Sequence, residues 1–183
     1  NLQNIPIRTD LGRAIRKAFV ARDGFVLVTA DYSQVELRIL AHLSKDDGLR
    51  AAFEAGEDIH RAVAAEVFGI APDDVTTEQR GAAKMVNFGI VYGITPYGLA
   101  RRLGEGTSVA RASQIIGDYK ARFTGIERFL EDCVDHAREY GYVETMCGRR
   151  RVIHNIDSSN GQERALAERH AINSVVQGSA ADL

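Results

Sequence analysis

The sequence predicts a mostly helical α+β fold, and three kinds of local signal lead to that prediction. Several stretches open on a serine, threonine or aspartate and continue as helical segments. Residues 24–31 (GFVLVTAD) form a short, nearly continuous apolar run, which predicts a strand buried on both faces. Residues 142–154 (YVETMCGRRRVIH) predict a β-hairpin that turns at Cys147 and Gly148. A few strands are therefore expected to flank a helical insert.

Capping and stop signals set the bounds of the predicted helices. Asp58 is expected to be the N-cap of a helix that runs through Phe68 and ends at Gly69. Thr76 or Thr77 is expected to begin a longer helix. The predicted helices cover about 34–43, 58–68, 76–92, 108–121 and 125–140, and a last helix begins at one of residues 158–160 and continues to the chain end.

The composition is that of a folded chain with ordinary polarity. Hydrophobic residues make up 45% and charged residues 26%, with a formal net charge of −2. Binding to nucleic acid would therefore depend on local basic patches rather than on total charge. No apolar run approaches the roughly 18–20 residues of a membrane span, and no signal segment opens the chain. Cys133 and Cys147 lack metal-ligand spacing, so we expect two free thiols in a reducing cytosol.

Two carboxylates lie where the predicted strand meets the following helix. Asp31 ends the strand, where a rigidly held carboxylate can face a cleft and suits a hard cation such as magnesium. The alternative is that Asp31 caps a helix beginning near Ser33, and the residue taken alone favours the cap. Glu36 is either a solvated charge in the first helical turn or a carboxylate with a functional partner beside an apolar face.

Four side chains at intervals of four residues share one face of the helix predicted over 76–92. Arg80 and Lys84 come first, and Phe88 and Tyr92 follow them toward the C-terminal end. This face fits a nucleoside triphosphate, with phosphates at the cations and at the positive end of the helix dipole. The sugar and base would then contact the two rings. The alternative is a surface helix with two solvated cations and two core aromatic residues, and the joint order of cations and rings favours the nucleotide.

At these residues the chain resembles the family A DNA polymerases, the bacterial DNA polymerase I type. DYSQVELRILAHLS (31–44) resembles the first catalytic motif of the family, and RGAAKMVNFGIVYG (80–93) resembles its R-x3-K-x3-F-x3-YG motif on the mobile fingers helix. Four further segments also resemble family sequence: NLQNIPIR (1–8), DIHRAVAAEVFG (58–69), GYVETMCGRRR (141–151) and ERHAINSVVQGSAADL (168–183). The resemblance covers essentially the whole chain, and several long motifs in order make it specific.

The resemblance implies part of a right-hand polymerase fold. Residues 1–45 would belong to the palm, 46–141 would form the fingers, and 142–183 would return into the palm with a helix that contacts the duplex. The thumb and the later palm motif with a second metal-binding aspartate are expected outside this chain, which starts at Asn1 and ends at Leu183 within a predicted helix. The chain is therefore predicted to be a piece of a larger protein that lacks full activity alone.

The activity implied by the resemblance is template-directed DNA synthesis. A primer 3′-hydroxyl would attack the α-phosphate of a deoxynucleoside triphosphate (dNTP) in a reaction that uses two Mg²⁺ ions, and pyrophosphate would leave. Asp31 and the backbone carbonyl of Tyr32 would bind the metal, and Lys84 would offset charge or donate a proton at the pyrophosphate. The implied partners are primer–template DNA and dNTPs, for a protein that is a monomer in the bacterial cytoplasm near the nucleoid and contacts no membrane.

The family motifs also assign contacts with nucleotide and DNA. Glu36 would stand where a ribose 2′-hydroxyl must go, and His60 would join Arg80 and Lys84 on the triphosphate. The other implied contacts are with the sugar, the base and their surroundings for Phe88, Tyr92 and Gln34, and with DNA for Arg8, Arg169, Asn173 and Gln177. By itself, a histidine in a first helical turn is usually surface decoration, and the arginine run 149–151 fits either a solvated hairpin tip or phosphate contacts.

Two other functions fit parts of the same pattern. A single-subunit RNA polymerase shares the palm aspartate and the fingers lysine and tyrosine, but Glu36 leaves no room for a 2′-hydroxyl. A non-catalytic helical module could bind nucleic acid or a protein partner without chemistry. Replacing Asp31 would separate the module from an enzyme, because only the enzyme would lose activity.

Overall fold

A computed structural model of the chain describes residues 5–6, 9–104 and 106–183, and the chain divides into two units. The first unit spans residues 1–33 and the second spans residues 34–183. Over the described residues the structure is mostly helical with one two-stranded sheet, which confirms the predicted α+β class. A helix long and apolar enough to cross a membrane is absent from these residues.

Among its described residues, the first unit holds one short helix, α1 (Asp10–Lys17), and a later segment without regular secondary structure. Residues 25–32 form neither helix nor strand, and Val26 and Val28 are 81% and 82% exposed. The buried strand predicted over 24–31 is therefore wrong for this structure. The physical reason is that a strand needs a neighbour for its N–H and C=O groups, and no described segment pairs with this one.

The second unit contains eight α-helices, a short 3₁₀ helix and a hairpin within its described residues. The helices are α2 (Val35–Ser44), α3 (Asp47–Glu54), α4 (Ile59–Phe68), α5 (Thr77–Val91), α6 (Pro96–Leu103), α7 (Val109–Arg122), α8 (Thr124–Tyr140) and α9 (Gly161–Asp182). The 3₁₀ helix spans Pro72–Asp74, between α4 and α5. Every helix that the sequence predicted is present, whereas α1, α3 and α6 were not predicted.

Capping side chains begin the helices where the sequence predicted. The Asp58 carboxylate accepts hydrogen bonds from two N–H groups of α4, and Gly69 ends that helix with φ of 66°. Helix α2 differs, because its N-cap is Gln34 with φ of 55° and no side-chain capping bond. The alternative that Asp31 caps this helix near Ser33 is therefore wrong.

The predicted hairpin is confirmed, and its turn packs against α9. Strand β1 (Tyr142–Glu144) pairs antiparallel with β2 (Arg150–Val152), and the turn between them includes Gly148, whose φ is 77°. The Met146 N–H donates to Ser179 Oγ of α9 at 2.9 Å. A Cβ added to Gly178 would lie 2.7 Å from Thr145 Cγ2, so glycine permits the close approach of helix and turn.

Two hydrophobic clusters hold the second unit together. The larger cluster gathers side chains from α2 through α8 and includes Leu40, Leu49 and Val86. The smaller cluster packs Val143 of β1 against apolar side chains of α8 and α9. Tyr92 packs against both clusters, so the C-terminal end of α5 lies at their junction.

Candidate functional site

A capping box fixes the N-terminal end of α5. Thr76 Oγ1 accepts a hydrogen bond from the Gln79 N–H at 3.2 Å, and Gln79 Oε1 accepts one from the Thr76 N–H at 2.9 Å. Apolar side chains such as Val86 and Ile90 bury one side of the helix. The cap and the buried side together fix which side chains of α5 remain accessible.

The four side chains predicted to share a face of α5 follow one another at one-turn intervals, and from Lys84 onward each lies close to the next. Lys84 Nζ lies 5.9 Å from the centre of the Phe88 ring. The Phe88 and Tyr92 rings stack at 6.1 Å with planes 13° apart. Lys84 is exposed, whereas Arg80, Phe88 and Tyr92 are half-buried. We call these four residues the α5 row.

Arg80 is held by a carboxylate at the start of α4. Its Nε donates to Asp58 Oδ2 at 2.6 Å, while Asp58 Oδ1 accepts from the His60 N–H at 3.0 Å and the Arg61 N–H at 3.2 Å. Burial alone would raise the pKa of Asp58, but these hydrogen bonds and the charge of Arg80 outweigh it and hold the pKa below its usual range. Arg80 is therefore already paired with an oxyanion, so only Lys84 fits the description of a solvated cation.

His60 is buried between α4 and α5 rather than displayed on the surface. It is 2% exposed, its ring lies 5.9 Å from the Phe88 ring, and its Nδ1 lies 2.7 Å from Asn87 Nδ2. Burial, chiefly, and the nearby Arg80 lower the pKa of His60 to about 4, although Asp58 acts in the opposite direction. The ring is therefore neutral at physiological pH, and the expectation of surface decoration is wrong.

Hydrogen bonds at the other end of the α5 row join three helices. The Tyr92 hydroxyl donates to Glu36 Oε2 of α2 at 2.8 Å, and Gln177 Nε2 of α9 donates to the Tyr92 hydroxyl oxygen at 3.3 Å. Burial raises the pKa of Tyr92, and the Glu36 carboxylate raises it further, so the hydroxyl keeps its proton. Glu36 is therefore partnered and half-buried, and the reading as a solvated charge is wrong.

The residues predicted to bind metal belong to the first unit. Asp31 and Tyr32 are both exposed and lie outside regular secondary structure. Over the described part of the chain, no group of three or more histidine, cysteine or acidic side chains could hold a metal ion. That Asp31 faces a cleft and binds a cation stays a prediction. Gln34, in the second unit, is half-buried, and its Oε1 has no hydrogen-bond partner among the described residues.

The predicted DNA contacts on α9 lie along one side of that helix. Arg169 and Gln177 are exposed, while Asn173 is half-buried with an Oδ1 that has no partner in the described chain. Arg169 also borders a cavity of about 570 Å³ that α8 side chains such as Glu131 line from the opposite side. Arg8, the fourth predicted contact, lies outside the described residues.

The arginine run at the hairpin is largely paired within the chain. Arg149 donates to Asp182 at 2.7 Å and to the carbonyl of Gly178 at 2.8 Å. Arg150 pairs with Glu144 at 2.5 Å across the two strands. All three arginines are nevertheless exposed, as a solvated hairpin tip requires, and phosphate contacts at this run stay a prediction.

Sequence reasoning missed three contacts at this site. It identified Asp58 only as a helix cap, because its pairing with Arg80 spans 22 residues and depends on the packing of two helices. It missed the bond between Glu36 and Tyr92 for the same reason. It also missed Asn87, although the sequence offered a signal: Asn87 lies three residues before Ile90, on the side of α5 that apolar residues bury.

Comparisons with known proteins agree with these features. A family model described as DNA polymerase family A matches residues 1–183. The DNA polymerase I proteins of Chloroflexus aurantiacus and Pseudomonas aeruginosa are each 52% identical to the chain over its full length. The match covers 19% and 20% of those proteins, so the chain spans about a fifth of the length of these curated relatives.

One solved structure extends the comparison to three dimensions. The POL domain of Pol1 from M. smegmatis, in a complex with DNA primer-template and dNTP, superposes with a TM-score of 0.86 at 49% identity. The alignment covers all of this chain and 32% of that one.

Proposed function

This chain belongs to the family A DNA polymerases, and we propose that the protein carrying it is a template-directed DNA polymerase. The reaction is nucleotidyl transfer: a primer 3′-hydroxyl attacks the α-phosphate of a dNTP, a phosphodiester bond forms, and pyrophosphate leaves. The observation that supports it best is the α5 row, in which two cations precede two stacked rings on the accessible side of one helix.

The cationic end of the α5 row is proposed to bind the triphosphate. Arg80 already holds a carboxylate at 2.6 Å, and a phosphate oxygen presents the same acceptor to its planar guanidinium fork. Lys84, exposed one helical turn away, neutralises charge on the same phosphates and offsets charge or donates a proton at the departing pyrophosphate. His60 completes the set as an uncharged donor, because its ring is neutral at physiological pH.

The aromatic end of the α5 row is proposed to select the sugar and the base. Phe88 lies against the sugar and Tyr92 lies near the templating base pair. Glu36 excludes a ribose 2′-hydroxyl, and its hydrogen bond with the Tyr92 hydroxyl fixes the carboxylate beside the stacked rings. Gln34 belongs to the same surroundings, where its buried and unpartnered Oε1 can accept a hydrogen bond.

Helix α9 is proposed to follow the primer–template duplex. Arg169, Asn173 and Gln177 recur every four residues and lie on one side of the helix. A DNA contact by Arg8 is proposed from its motif alone. The unpartnered Oδ1 of Asn173 can accept a hydrogen bond from a base edge. Cationic contacts with the backbone would weaken as salt concentration rises.

Asp31 and the backbone carbonyl of Tyr32 are proposed to hold Mg²⁺. The donor chemistry fits, because both groups supply the oxygen ligands that Mg²⁺ prefers and both residues are exposed. When two Mg²⁺ ions are bound, they supply activation of the hydroxyl and stabilisation of charge on the phosphates. We further propose that the protein works as a monomer in the bacterial cytoplasm, at the nucleoid, in DNA replication and repair.

Primer extension by the full-length protein that carries this chain tests the proposal. We expect incorporation of the deoxynucleotide complementary to the template, and Asp31→Ala should lower kcat by about 1,000-fold while affinity for primer–template stays within about threefold. Asp23→Ala, which removes another exposed carboxylate of the same unit, is the matched control and should leave kcat unchanged. Preferential ribonucleotide incorporation would indicate an RNA polymerase, and no incorporation by the wild type would indicate a non-catalytic module.

A further inference from the structure

We propose that Asn87 is a positioning residue that holds His60 in its Nε2–H tautomer, so that this N–H donates to the anion bound by Arg80 and Lys84. The inference deepens the proposed function and rests on it for the identity of that anion as a triphosphate. It gives a functional role to the Asn87 side chain, which is polar and lies wholly inside the core of the second unit.

The geometry fixes the proton on the histidine ring. Asn87 is 0% exposed, and its Nδ2 lies 2.7 Å from His60 Nδ1. An amide nitrogen donates and does not accept, so His60 Nδ1 is the acceptor in this bond. A neutral imidazole carries one ring proton, which must then be on Nε2.

The surroundings of the Asn87 amide favour this orientation over the flipped one. Asn87 Oδ1 is buried and has no hydrogen-bond partner in the described residues. A flip would place the NH₂ group in that unpartnered position. Buried N–H donors without partners are rarer in proteins than buried carbonyl oxygens without partners. The observed orientation therefore leaves the less costly group unsatisfied.

Charged groups around His60 keep the ring neutral. Arg80 and Lys84 face it from α5, and Asp58 faces it from the start of α4. Burial and the two cations disfavour an imidazolium more strongly than Asp58 favours it, and the pKa of His60 falls to about 4. Since the ring has a single proton, the tautomer decides whether Nε2 presents a donor or a lone pair. A lone pair on Nε2 would repel a phosphate oxygen, whereas an N–H would bind it.

The unsatisfied oxygen of Asn87 supports a functional reason for this residue. A buried acceptor without a partner destabilises the fold, and an apolar side chain of similar size would remove that cost. Asn87 also immediately precedes Phe88 and lies three residues after Lys84, so the helix that presents the α5 row also sets the state of His60.

Ring-nitrogen NMR of the full-length protein labelled with ¹⁵N-histidine tests the tautomer without nucleotide or DNA. We expect the Nε2–H form for His60 in the wild type. Asn87→Leu should give a mixture of both forms. In Asn87→Asp the new carboxylate accepts a hydrogen bond from Nδ1–H and stabilises the imidazolium, so His60 should titrate between about pH 5 and pH 8. Val86→Ala, a buried change at the neighbouring position without a polar contact, is the matched control.

Nucleotide kinetics of the same variants supply the functional readout. Asn87→Leu should raise KM for dNTP about twofold, because an even mixture of tautomers halves the fraction of the protein that presents the Nε2–H donor, and should leave kcat unchanged. Val86→Ala should change thermal stability but neither the His60 spectrum nor KM. If Asn87→Leu does not fold, the spectra of the wild type and of Asn87→Asp decide whether Asn87 sets the tautomer of His60.

Two results would overturn the inference. One is an Nδ1–H tautomer of His60 in the wild type. The other is an Asn87→Leu variant whose KM and His60 spectrum match those of Val86→Ala. Failure of the proposed function is a separate outcome, because a wild type that incorporates no dNTP would refute the polymerase assignment whatever the His60 spectrum shows.

Discussion

The two ends of α5 are held in opposite ways. At the N-terminal end, Arg80 is held by a partly exposed ion pair with Asp58, and Lys84 is exposed. At the C-terminal end, Tyr92 lies at the junction of two hydrophobic clusters and is hydrogen-bonded to Glu36 of α2 and to Gln177 of α9. At the cationic end, a phosphate can replace the Asp58 carboxylate on Arg80. At the aromatic end, packing and hydrogen bonds fix the positions of the Tyr92 ring and the Glu36 carboxylate. Changes at the cationic end should therefore alter how strongly nucleotides bind, and changes at the aromatic end should alter which nucleotides bind.

The largest expected effect is at the cationic end. Lys84→Ala removes an exposed charge that is proposed to bind the triphosphate, so kcat/KM in primer extension should fall about 100- to 1,000-fold, equally for all four dNTPs. Lys17→Ala, which removes an exposed lysine from the last turn of α1, serves as the control. A loss of less than about threefold, or a loss confined to one base, would break the distinction between the two ends.

The next effect is at the aromatic end. Glu36 is proposed to exclude a ribose 2′-hydroxyl, so in Glu36→Ala the ratio of ribonucleotide to deoxynucleotide incorporation should rise about 100-fold while the dNTP KM changes little. Tyr92→Phe removes the hydroxyl that holds Glu36 but keeps the stacked ring, so it should raise the ratio by a smaller factor. The comparison fails if Glu36→Ala weakens dNTP binding as much as Lys84→Ala does.

A smaller effect is expected when Arg80 is released. Asp58→Asn keeps an N-cap on α4 but removes the charge that is proposed to compete with phosphate for Arg80, so the KM for dNTP should fall about two- to fivefold. Asp58→Ala removes the cap as well and should also cost about 1 kcal/mol of unfolding free energy. Steady-state kinetics and chemical denaturation measure the two effects separately. An increase in KM for Asp58→Asn would show that the carboxylate positions Arg80 rather than competing for it.

A separate prediction concerns the pH dependence of stability rather than nucleotide binding. The folded-state pKa of His60 is lowered from 6.5 to about 4, so the unfolded chain binds the proton more readily. The contribution of the neutral ring to the free energy of unfolding is fully present above pH 6.5 and is lost as pH falls toward 4. Denaturation at a series of pH values should show this slope in the wild type and a shallower one in His60→Gln. His154→Gln, which replaces an exposed histidine, should retain the slope.

The sequence predicted helices well because the signals that begin and end them are local. Asp58, Thr76 and Asn160 cap α4, α5 and α9 through hydrogen bonds to nearby N–H groups, so a few neighbouring residues contain the information. The same kind of signal was present but overlooked before α3 and α6, where Asp46 and Thr95 are the N-caps.

The absence of a strand over 24–31 could not be predicted in the same way. An apolar run reports a preference for burial, but a strand forms only when another segment pairs with its backbone, and among the described residues none does. At the site, too, local features could be predicted and contacts between distant segments could not. The α5 row followed from the helical period, whereas the partners of Arg80, His60 and Tyr92 come from other helices and required the packed structure.

The most direct test is a crystal structure of the full-length protein with primer–template DNA and a non-hydrolysable dNTP analogue. The account predicts phosphate oxygens within about 3 Å of the Arg80 guanidinium and Lys84 Nζ, with Arg80 released from Asp58. It also predicts the sugar against Phe88. A triphosphate bound elsewhere, with Arg80 still on Asp58 and the α5 row empty, would contradict it.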